Sequence, residues 1–464
     1  MQKGKLAMET IKSSKYTHRY IARFIIEAAT PMAIGSGEKS IETDAMVVRD
    51  VNALPYLPGT TIAGVIRSML HIGGKNDLWG YQSASNGHGS EITFTDGRIL
   101  NSRGIVIDGM RHGAFEDPLL KYYDILPIRQ HVCITEKGVA ASHGKFDEQV
   151  VFAGTRFCFE MEVASDGSNG DKIEEIISTT RKCTFRIGSG SRSGFGKIKV
   201  ISVSVVDINL KEQADLYLTK SSNLQESARW RGWGMAAMKD KENNTLDDAL
   251  YVTYHLTLQP RDFIFFGSGL QDEDSNADMT TVKAKRVIWT NGVGEMKENL
   301  LLIPAASLKG ALRHRIAYRY NQRKGIFADQ VTSLPDTAEN EAVHILFGYE
   351  DQARRKQQRG KRGNVLFSDI IESPVQSHLF NHVSIDRFTG GTINGALFTE
   401  QVDYVKESIF NTDILVLRDA LKEEDVKFAL ETALNDLCNG LLPLGGGNSR
   451  GHGLFTGKYV IVES

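Results

Sequence analysis

Two stretches in which every second residue is apolar lie far apart in the chain. The first covers residues 22–28 and the second covers residues 252–258. A period of two is typical of a strand that buries one face. The pattern predicts that two similar units of the chain each open with a strand.

A proline turn and an amphipathic helix follow each of these strands. The stretch around Pro58 resembles the stretch around Pro304, and apolar residues then recur at helical spacing. Hydroxyl side chains favour the position just before a helix. The expected N-caps are Thr60 or Thr61 in the first helix and Ser307 in the second.

Further landmarks recur in the same order, which indicates a duplicated domain. A Phe-x-Asp segment ends at Asp96 and again at Asp369, HVCI is matched by HVSI, and FDEQV is matched by FTEQV. Each copy closes with a glycine-rich loop and a final strand: GSGSRSGFGK begins at Gly188 and GGGNSRGHG begins at Gly445. The chain is therefore predicted to contain two tandem α+β domains.

A polar segment of mixed charge separates the two copies and is typical of a connector. The first domain is expected over residues 1–206, the connector over 207–248 and the second domain over 249–464, with a basic insertion near 322–362. Trp230 in the connector could stack on bases, but anchoring the connector to a domain is the favoured interpretation.

Composition narrows the class of protein. The 464 residues suit two domains of about 200 residues each, and no apolar run is long enough to span a bilayer. Four dispersed cysteines without a Cys-x-x-Cys pair disfavour a zinc site or a disulfide framework. We expect a cytoplasmic protein that does not associate with membranes. A net charge of -2 leaves nucleic-acid binding open, because that depends on where the basic residues lie.

The first glycine loop does not match the familiar nucleotide-binding motifs. A Walker loop requires glycine where Ser191 stands, and a dinucleotide fingerprint requires glycine where Ser193 stands. Both motifs also require a helix afterwards, whereas an alternating strand pattern follows here. We therefore expect no nucleotide cofactor.

Glycine-rich loops with basic residues can expose backbone amides to an anion, but a tight turn packed under its own domain would also require glycine. Both interpretations remain open. On the first, the candidate phosphate-binding residues are Gly188, Gly190, Arg192, Gly194 and Lys197 in one loop and Gly445, Gly447, Arg450 and Gly451 in the other. On the helix after Pro304, Lys309, Arg313 and Arg319 share one side and form either a second phosphate contact or a solvated face. Arg67 is their counterpart in the first copy.

In this combination the chain resembles the RAMP superfamily of CRISPR-associated proteins, and in particular the backbone subunits of type III effector complexes. The resemblance depends on residues 44–70, their partner LLLIPAASLKGALRHRI, the Phe-x-Asp segments, residues 383–398 and both glycine loops. It implies a ferredoxin-like, RRM-like βαββαβ core in each copy. A tandem pair in one chain is similar to the fused subunits of compact type III-D complexes.

The resemblance also implies partners and RNA-binding segments. Such subunits line up along a CRISPR RNA beside other type III effector subunits, and insert hairpin thumbs into the duplex formed with the complementary target RNA. The thumbs would lie near residues 128–150 and 383–402. Their expected RNA-binding residues are Arg129, His131 and Arg387.

Nuclease-competent relatives cut target RNA with an aspartate upstream of the Leu-Pro-x-x-Pro-Gly turn, and Asp44 occupies that place here. A carboxylate there can bind Mg²⁺ or Mn²⁺, or orient a ribose 2′-hydroxyl. In the second copy the corresponding stretch contains Lys283, Lys285 and Arg286 instead, and the nearest acids are Asp272, Asp274 and Asp278. Metal-dependent cleavage is therefore expected in the first domain alone.

Three alternatives remain open. The chain could be a purely structural RNA-binding subunit, or a tandem RRM-type protein for cellular RNA, although neither copy has the aromatic-rich strand of such domains. It could also be a guide-processing endoribonuclease that uses histidine. The candidate histidines are His71, His88, His112 and His143.

Overall fold

A computed structural model provides the fold of the chain. The described residues are 16–41, 43–72, 76–83, 86–135, 138–235, 245–269, 277–327, 340–349 and 360–463. Much of the basic insertion expected near 322–362 lies outside them.

The first copy is built on one antiparallel sheet with two helices. Its strands and helices are β1 (His18–Ala28), β2 (Tyr81–Gln82), β3 (Gly87–His88), β4 (Ile92–Phe94), β5 (Arg98–Ile99), β6 (Ile128–Ile134), β7 (Ala140–Gln149), β8 (Arg156–Ser165), β9 (Ile198–Asn209), α1 (Gly59–Met69) and α2 (Gly170–Thr180). The sheet order is β4-β8-β1-β9, with β5 also paired to β8. This order is the one expected of a βαββαβ ferredoxin-like domain.

Strand alternation places the core of the first copy on one face of this sheet. Phe24 of β1 lies opposite Phe159 of β8, and the two rings stack with centroids 4.7 Å apart. Ile62 and Ile66 of α1 and Ile173 of α2 bury their side chains against the same face. The predicted half-buried strand and amphipathic helix are both confirmed.

The connector covers the opposite face. Strand β9 extends to Asn209, beyond the boundary expected at residue 206, and α3 (Leu210–Leu218) and α4 (Leu224–Ser227) follow it. Trp230 is buried against this face, and its Nε1 donates to the Leu216 carbonyl at 3.1 Å. The anchoring interpretation of this tryptophan is confirmed.

The second copy repeats the architecture. Its elements are β10 (Tyr251–Pro260), β11 (Phe263–Ile264), β12 (Lys283–Thr290), β13 (Val293–Ile303), α5 (Ala305–Lys324), α6 (Glu341–Phe347), β14 (Gly348–Tyr349), β15 (Lys361–Arg362), β16 (Val365–Leu366), β17 (Ile370–Glu372), β18 (Ser377–Ile385), β19 (Thr392–Tyr404), β20 (Phe410–Leu417), α7 (Glu424–Cys438) and β21 (Phe455–Glu463). The main sheet has the order β16-β20-β10-β21, which matches the first copy. The chain therefore contains two tandem ferredoxin-like domains.

The helix starts differ from the expectation that Thr60, Thr61 or Ser307 would act as N-caps. Helices α1 and α5 follow directly on prolines, and no side chain of the N-cap residue bonds to either helix. The first amides donate instead to distant carboxylates: Gly59 N to Asp96 Oδ1 at 2.9 Å, and Ala305 N to Asp369 Oδ1 at 2.8 Å. The repeated Phe-x-Asp segment thus supplies the cap, because a carboxylate can satisfy the unpaired amide and the positive end of the helix.

Each copy also carries an antiparallel hairpin where a thumb was expected. Strands β6 and β7 form the first, and β18 and β19 form the second, which begins at Ser377 rather than near residue 383. Apolar side chains on both hairpins are exposed to solvent, and Phe388 at the turn of the second is 99% exposed. Both hairpins therefore present apolar surface to solvent.

Candidate nucleic-acid interface

The glycine loop of the first copy packs on the start of helix α5 in the second. The backbone of Gly194 bridges to Ser368, and the buried guanidinium of Arg186 donates to the Phe367 carbonyl at 2.7 Å and to Ser368 Oγ at 3.0 Å. We call this contact the seam, and it joins Arg129, Arg186 and Gly194 of the first copy to Phe367, Ser368, Asp369 and Ala305 of the second.

A buried ion pair crosses the seam. The carboxylate that caps α5, Asp369, also pairs with Arg129 from β6. Burial raises the pKa of Asp369, while Arg129 and the Ala305 amide oppose that rise. Burial also lowers the pKa of Arg186 to about 10. Arg129, expected to bind RNA, is therefore engaged in joining the two copies.

Four cations gather beside the seam. Lys309 of α5 donates to Ser193 Oγ at 3.1 Å, and Arg192 Nε donates to the Gly363 carbonyl. Burial, then Arg313 and Arg192, lowers the pKa of Lys309. Burial, then Arg362, lowers the pKa of Arg192 to about 10. These interactions place the four cations near one another.

We call Arg192, Lys309, Arg313 and Arg362 the cation cluster. Among the described residues, no Asp or Glu forms an ion pair with any of them. Arg362 is exposed and the other three are partly exposed. A group of like charges without acidic partners among the described residues can bind an anion, and phosphate suits it best because guanidinium groups bind phosphate oxygens in pairs. The sequence predicted three of the four as phosphate contacts, whereas Arg362 was assigned only to the end of the basic insertion.

Other predicted cations are neutralised or lie elsewhere. Arg319, on the same helix as Lys309, pairs with Asp436 of α7 at 2.6 Å. Lys197 is mostly buried, and burial and then Arg186 lower its pKa. Arg67 lies on α1, and its Nε donates to the Ile72 carbonyl at 3.4 Å. Arg387 is exposed at the turn of the second hairpin.

The two glycine loops share a backbone path but do not share an arginine. A Cβ on Gly188 would lie 2.3 Å from the Ala33 carbonyl oxygen, and one on Gly445 would lie 2.3 Å from the Phe265 carbonyl oxygen. Continuing from these equivalent glycines, Arg450 falls opposite Ser193, one position beyond Arg192. Each loop therefore carries one arginine, but the two arginines occupy neighbouring positions of the shared path.

The glycines themselves serve close packing. Gly190 and Gly447 both adopt positive φ, and a Cβ there would strike the Phe195 and His452 rings respectively. In contrast, a Cβ on Gly451 would meet nothing within 4 Å. The tight-turn interpretation therefore describes most of these positions, and direct phosphate binding by their amides stays a prediction.

Arg450 lies at the base of the second hairpin. Its guanidinium bonds to both oxygens of the fully buried Glu400 at 2.7 and 2.8 Å, and His382 Nε2 lies 3.1 Å from the same carboxylate. The first hairpin has the related pair His131 and Glu148, 3.2 Å apart. Arg450 therefore holds the base of the second hairpin, whereas His131 lies near Glu148 without a hydrogen bond from its Nε2 to any described residue.

Asp44 is exposed beside the first hairpin and is fixed there by reciprocal hydrogen bonds. Its amide donates to Asp147 Oδ1 at 2.9 Å, and its Oδ2 accepts from the Asp147 amide at 3.3 Å. The next carbonyl, of Ala45, accepts from the Gln149 amide at 2.9 Å. Among the described residues, no group of three or more His, Cys, Asp or Glu side chains could hold a metal ion.

Asp278 occupies the corresponding place in the second copy. Its amide donates to Thr399 Oγ1 at 2.8 Å, and its Oδ2 accepts from the Thr399 amide at 2.8 Å. The next carbonyl, of Met279, accepts from the Gln401 amide at 2.8 Å. The expectation that basic residues stand opposite Asp44 was wrong.

The reason is a difference in loop length. Ser36 bonds to the Met46 carbonyl in the first copy, whereas Ser268 bonds to the Thr280 carbonyl across a segment two residues longer. The basic residues lie beyond it, where Lys283 pairs with the buried Asp403 and Lys285 pairs with Glu298. Asp278 therefore matches Asp44 in its hydrogen bonds, although aligning the two sequences without a gap does not pair them.

Comparison with known proteins agrees with this duplicated architecture. The profile of the RAMP superfamily matches residues 25–199 and 261–456, one region in each copy. A search of curated proteins finds no match. Within the described part of the chain, no helix has the length and apolar character needed to cross a membrane. Since the matched regions cover most of both copies and the fold repeats, the chain belongs to the RAMP superfamily.

Proposed function

We propose that this chain is a tandem backbone subunit of a type III CRISPR effector complex in the cytoplasm, and that it binds CRISPR RNA and the complementary target RNA. RAMP proteins in general are CRISPR-associated and bind RNA. The observation that carries the proposal is the cation cluster, because Arg192 comes from one copy while Lys309, Arg313 and Arg362 come from the other. An RNA backbone that crosses the seam would meet all four.

The type III-D subtype and neighbouring effector subunits are part of the proposal. The two hairpins support binding of the guide and target duplex, because both expose apolar side chains that could enter it. Partly unstacking a duplex with apolar side chains is an established way for proteins to reshape nucleic acids.

The first domain is proposed to cut target RNA at Asp44. The exposed carboxylate would accept the proton of a ribose 2′-hydroxyl while the 2′-oxygen bonds to the adjacent phosphorus. The bond from phosphorus to the 5′-oxygen would break, and water would give a proton to the leaving 5′-oxygen. Mg²⁺ typically takes one or two protein carboxylates and completes its shell with phosphate and water, so Asp44 and the adjacent Asp147 fit this ion. When bound, Mg²⁺ or Mn²⁺ would neutralise charge that develops on the phosphate.

Removing two members of the cation cluster should weaken RNA binding without unfolding the chain. In the K309Q/R313Q variant, fewer counterions are released from single-stranded RNA, so the slope of log affinity against log salt should fall by about 0.7 per lost phosphate contact. The measurement is a titration of labelled CRISPR RNA at several salt concentrations.

Helix α5 supplies a matched control. R323Q/K324Q also removes one arginine and one lysine, but both of these are paired with Asp425. This control should keep the affinity and salt slope of the wild type. Equal losses in the two variants would contradict a specific role for the cation cluster.

Replacing Asp44 with asparagine should remove one set of target cleavage products. Loss of a carboxylate that accepts the proton costs about 100-fold or more in rate, while asparagine can still accept the Asp147 amide. The assay uses the assembled complex, labelled complementary RNA and Mg²⁺, and target binding should stay unchanged.

The rival functions give different results in the same assay. If the D44N complex still cuts target RNA at every position, Asp44 is not an active-site residue and the chain is a structural subunit. Cleavage of repeat RNA in EDTA would favour the guide-processing enzyme and its histidines His71, His88, His112 or His143.

A further inference from the structure

A pocket of about 450 Å³ opens at one end of the main sheet of the first copy, and it shares no residue with the cation cluster or the hairpins. It lies where β1 begins, β8 ends and α2 starts. Its lining carries the carboxylates of Asp77, Glu91 and Asp166 against one ammonium group, that of Lys172. We propose that this pocket binds a linear polyamine, in addition to the proposed contacts of the chain with RNA.

The carboxylates of the pocket are held in place by neighbouring groups. The Tyr16 hydroxyl donates to Glu91 Oε1 at 2.9 Å, and Asp166 Oδ1 accepts from the Ser168 amide at 3.0 Å and hydroxyl at 2.6 Å. Asp77 is exposed and forms no ion pair with another described residue. Carboxylates whose positions are already fixed need little reordering when a cation binds.

A buried amide side chain without a partner points independently to a ligand. Asn169 lines the pocket and is 7% exposed. Asparagine just before a helix commonly caps it, yet the Asn169 side chain does not bond to α2. It also forms no hydrogen bond with any other described residue. Since buried polar groups are normally paired, its carboxamide oxygen is available to accept from an ammonium group in the pocket.

An anion matches this pocket poorly, even though a helix begins beside it. The amino-terminal end of α2 carries partial positive charge, but Asp171 in its first turn already complements that charge. Three carboxylates against one lysine would repel a phosphate or a carboxylate ligand. The ligand is therefore expected to be positively charged.

The arrangement of the charges favours an extended cation over a metal ion. Among the described residues, no group of three His, Cys, Asp or Glu side chains is placed to hold a metal ion, so the three carboxylates do not converge on one point. Asp77 precedes β2, Glu91 precedes β4 and Asp166 follows β8. Leu78 is the one aliphatic side chain among the described lining residues, which disfavours a large apolar ligand. Ammonium groups joined by short methylene segments match separated carboxylates in a polar pocket.

Calorimetric titration of the purified full chain with spermidine tests the proposal. RNA is left out, because its phosphates attract cations themselves. We expect one saturable site whose affinity falls with added salt, since the attraction is electrostatic. D77N removes a carboxylate and should raise the dissociation constant about two- to fivefold, whereas K172Q removes the opposing cation and should lower it by about the same factor.

Two further variants separate binding from folding. N169A should weaken spermidine binding and leave the midpoint of thermal unfolding unchanged, because its side chain bonds to no other described residue. A lower midpoint with unchanged affinity would overturn the role of Asn169 in the pocket.

D419N is the control for net charge. Asp419 pairs with Lys422 at 2.8 Å and lies between β20 and α7, in the segment that corresponds to the one between β8 and α2. D419N changes the charge of the chain as D77N does, but it should bind spermidine as the wild type does.

A series of ligands distinguishes a free polyamine from a basic side chain of a partner protein. Affinity should rise with the number of ammonium groups, from N-acetyl-lysinamide through putrescine to spermidine. If N-acetyl-lysinamide binds as tightly as spermidine, the pocket accepts a single basic side chain and the polyamine assignment is overturned. If spermidine does not bind, or if D77N and K172Q bind it as D419N does, the pocket is not a polyamine site and the proposal fails.

Discussion

Replacing Arg129 with methionine should lower the free energy of unfolding by about 3–5 kcal/mol at neutral pH, because it leaves a carboxylate buried in the seam without its partner. The Asp369 side chain is only 1% exposed. The Ala305 amide would remain as a donor, and the Arg186 guanidinium would remain as a weaker electrostatic contribution than the lost one. Urea denaturation of the purified chain at several pH values provides the measurement.

The difference in unfolding free energy between R129M and the wild type should become smaller as the pH falls. Burial already raises the pKa of Asp369, and Arg129 opposes that rise, so the variant's pKa should be higher still. The folded variant then binds this proton more tightly than the unfolded chain does, and protonation favours folding. The loss of unfolding free energy is complete above the raised pKa of Asp369 in the folded variant. It decreases as the pH falls through that pKa toward the ordinary aspartate value near 3.8.

A second substitution tests the cause. In R129M/D369N the buried group is neutral, yet the asparagine oxygen can still accept from the Ala305 amide. The double variant should recover most of the lost free energy and show no such pH dependence. A double variant as unstable as R129M would show that the arginine contributes through packing and not through charge.

The sequence predicts the fold of each copy well, because the fold depends on local patterns. Period-two alternation defines β1 and β10, and helical spacing defines α1 and α5. The helix caps were less predictable. Asp96 caps its helix from 37 residues away in the sequence. The local preference for hydroxyl side chains before a helix therefore cannot predict a carboxylate cap from a distant segment.

The candidate site was predictable only in part, for a related reason. Lys309 and Arg192 were identified separately, but nothing in a linear sequence says that α5 of one domain meets the glycine loop of the other. Asp278 was named among the nearest acids of the second copy, but it was not matched to Asp44 because a loop of different length precedes it. Duplication identifies equivalent elements, whereas hydrogen bonds identify equivalent residues inside loops.

The largest packing effect in the seam is expected at Gly194. Its φ of +115° is unfavourable for alanine, and an added Cβ would lie 2.6 Å from both Ala305 Cβ and Asp369 Oδ1. The conformational cost is about 1–2 kcal/mol, and forcing a methyl group into a filled space costs about 1–3 kcal/mol more. We expect G194A to lose about 2–5 kcal/mol in urea denaturation.

Gly451 provides the matched control, since it occupies the corresponding position of the second loop and has a φ of +90° with nothing within 4 Å of an added Cβ. G451A should therefore lose only the conformational part, about 1–2 kcal/mol. The difference between the two variants measures what the seam contributes through packing at this glycine.

Because Arg192 lies two residues before Gly194, opening the seam should also disperse the cation cluster, so G194A should bind CRISPR RNA more weakly than G451A does. Equal stability and equal RNA affinity in the two variants would show that the copies do not depend on this contact.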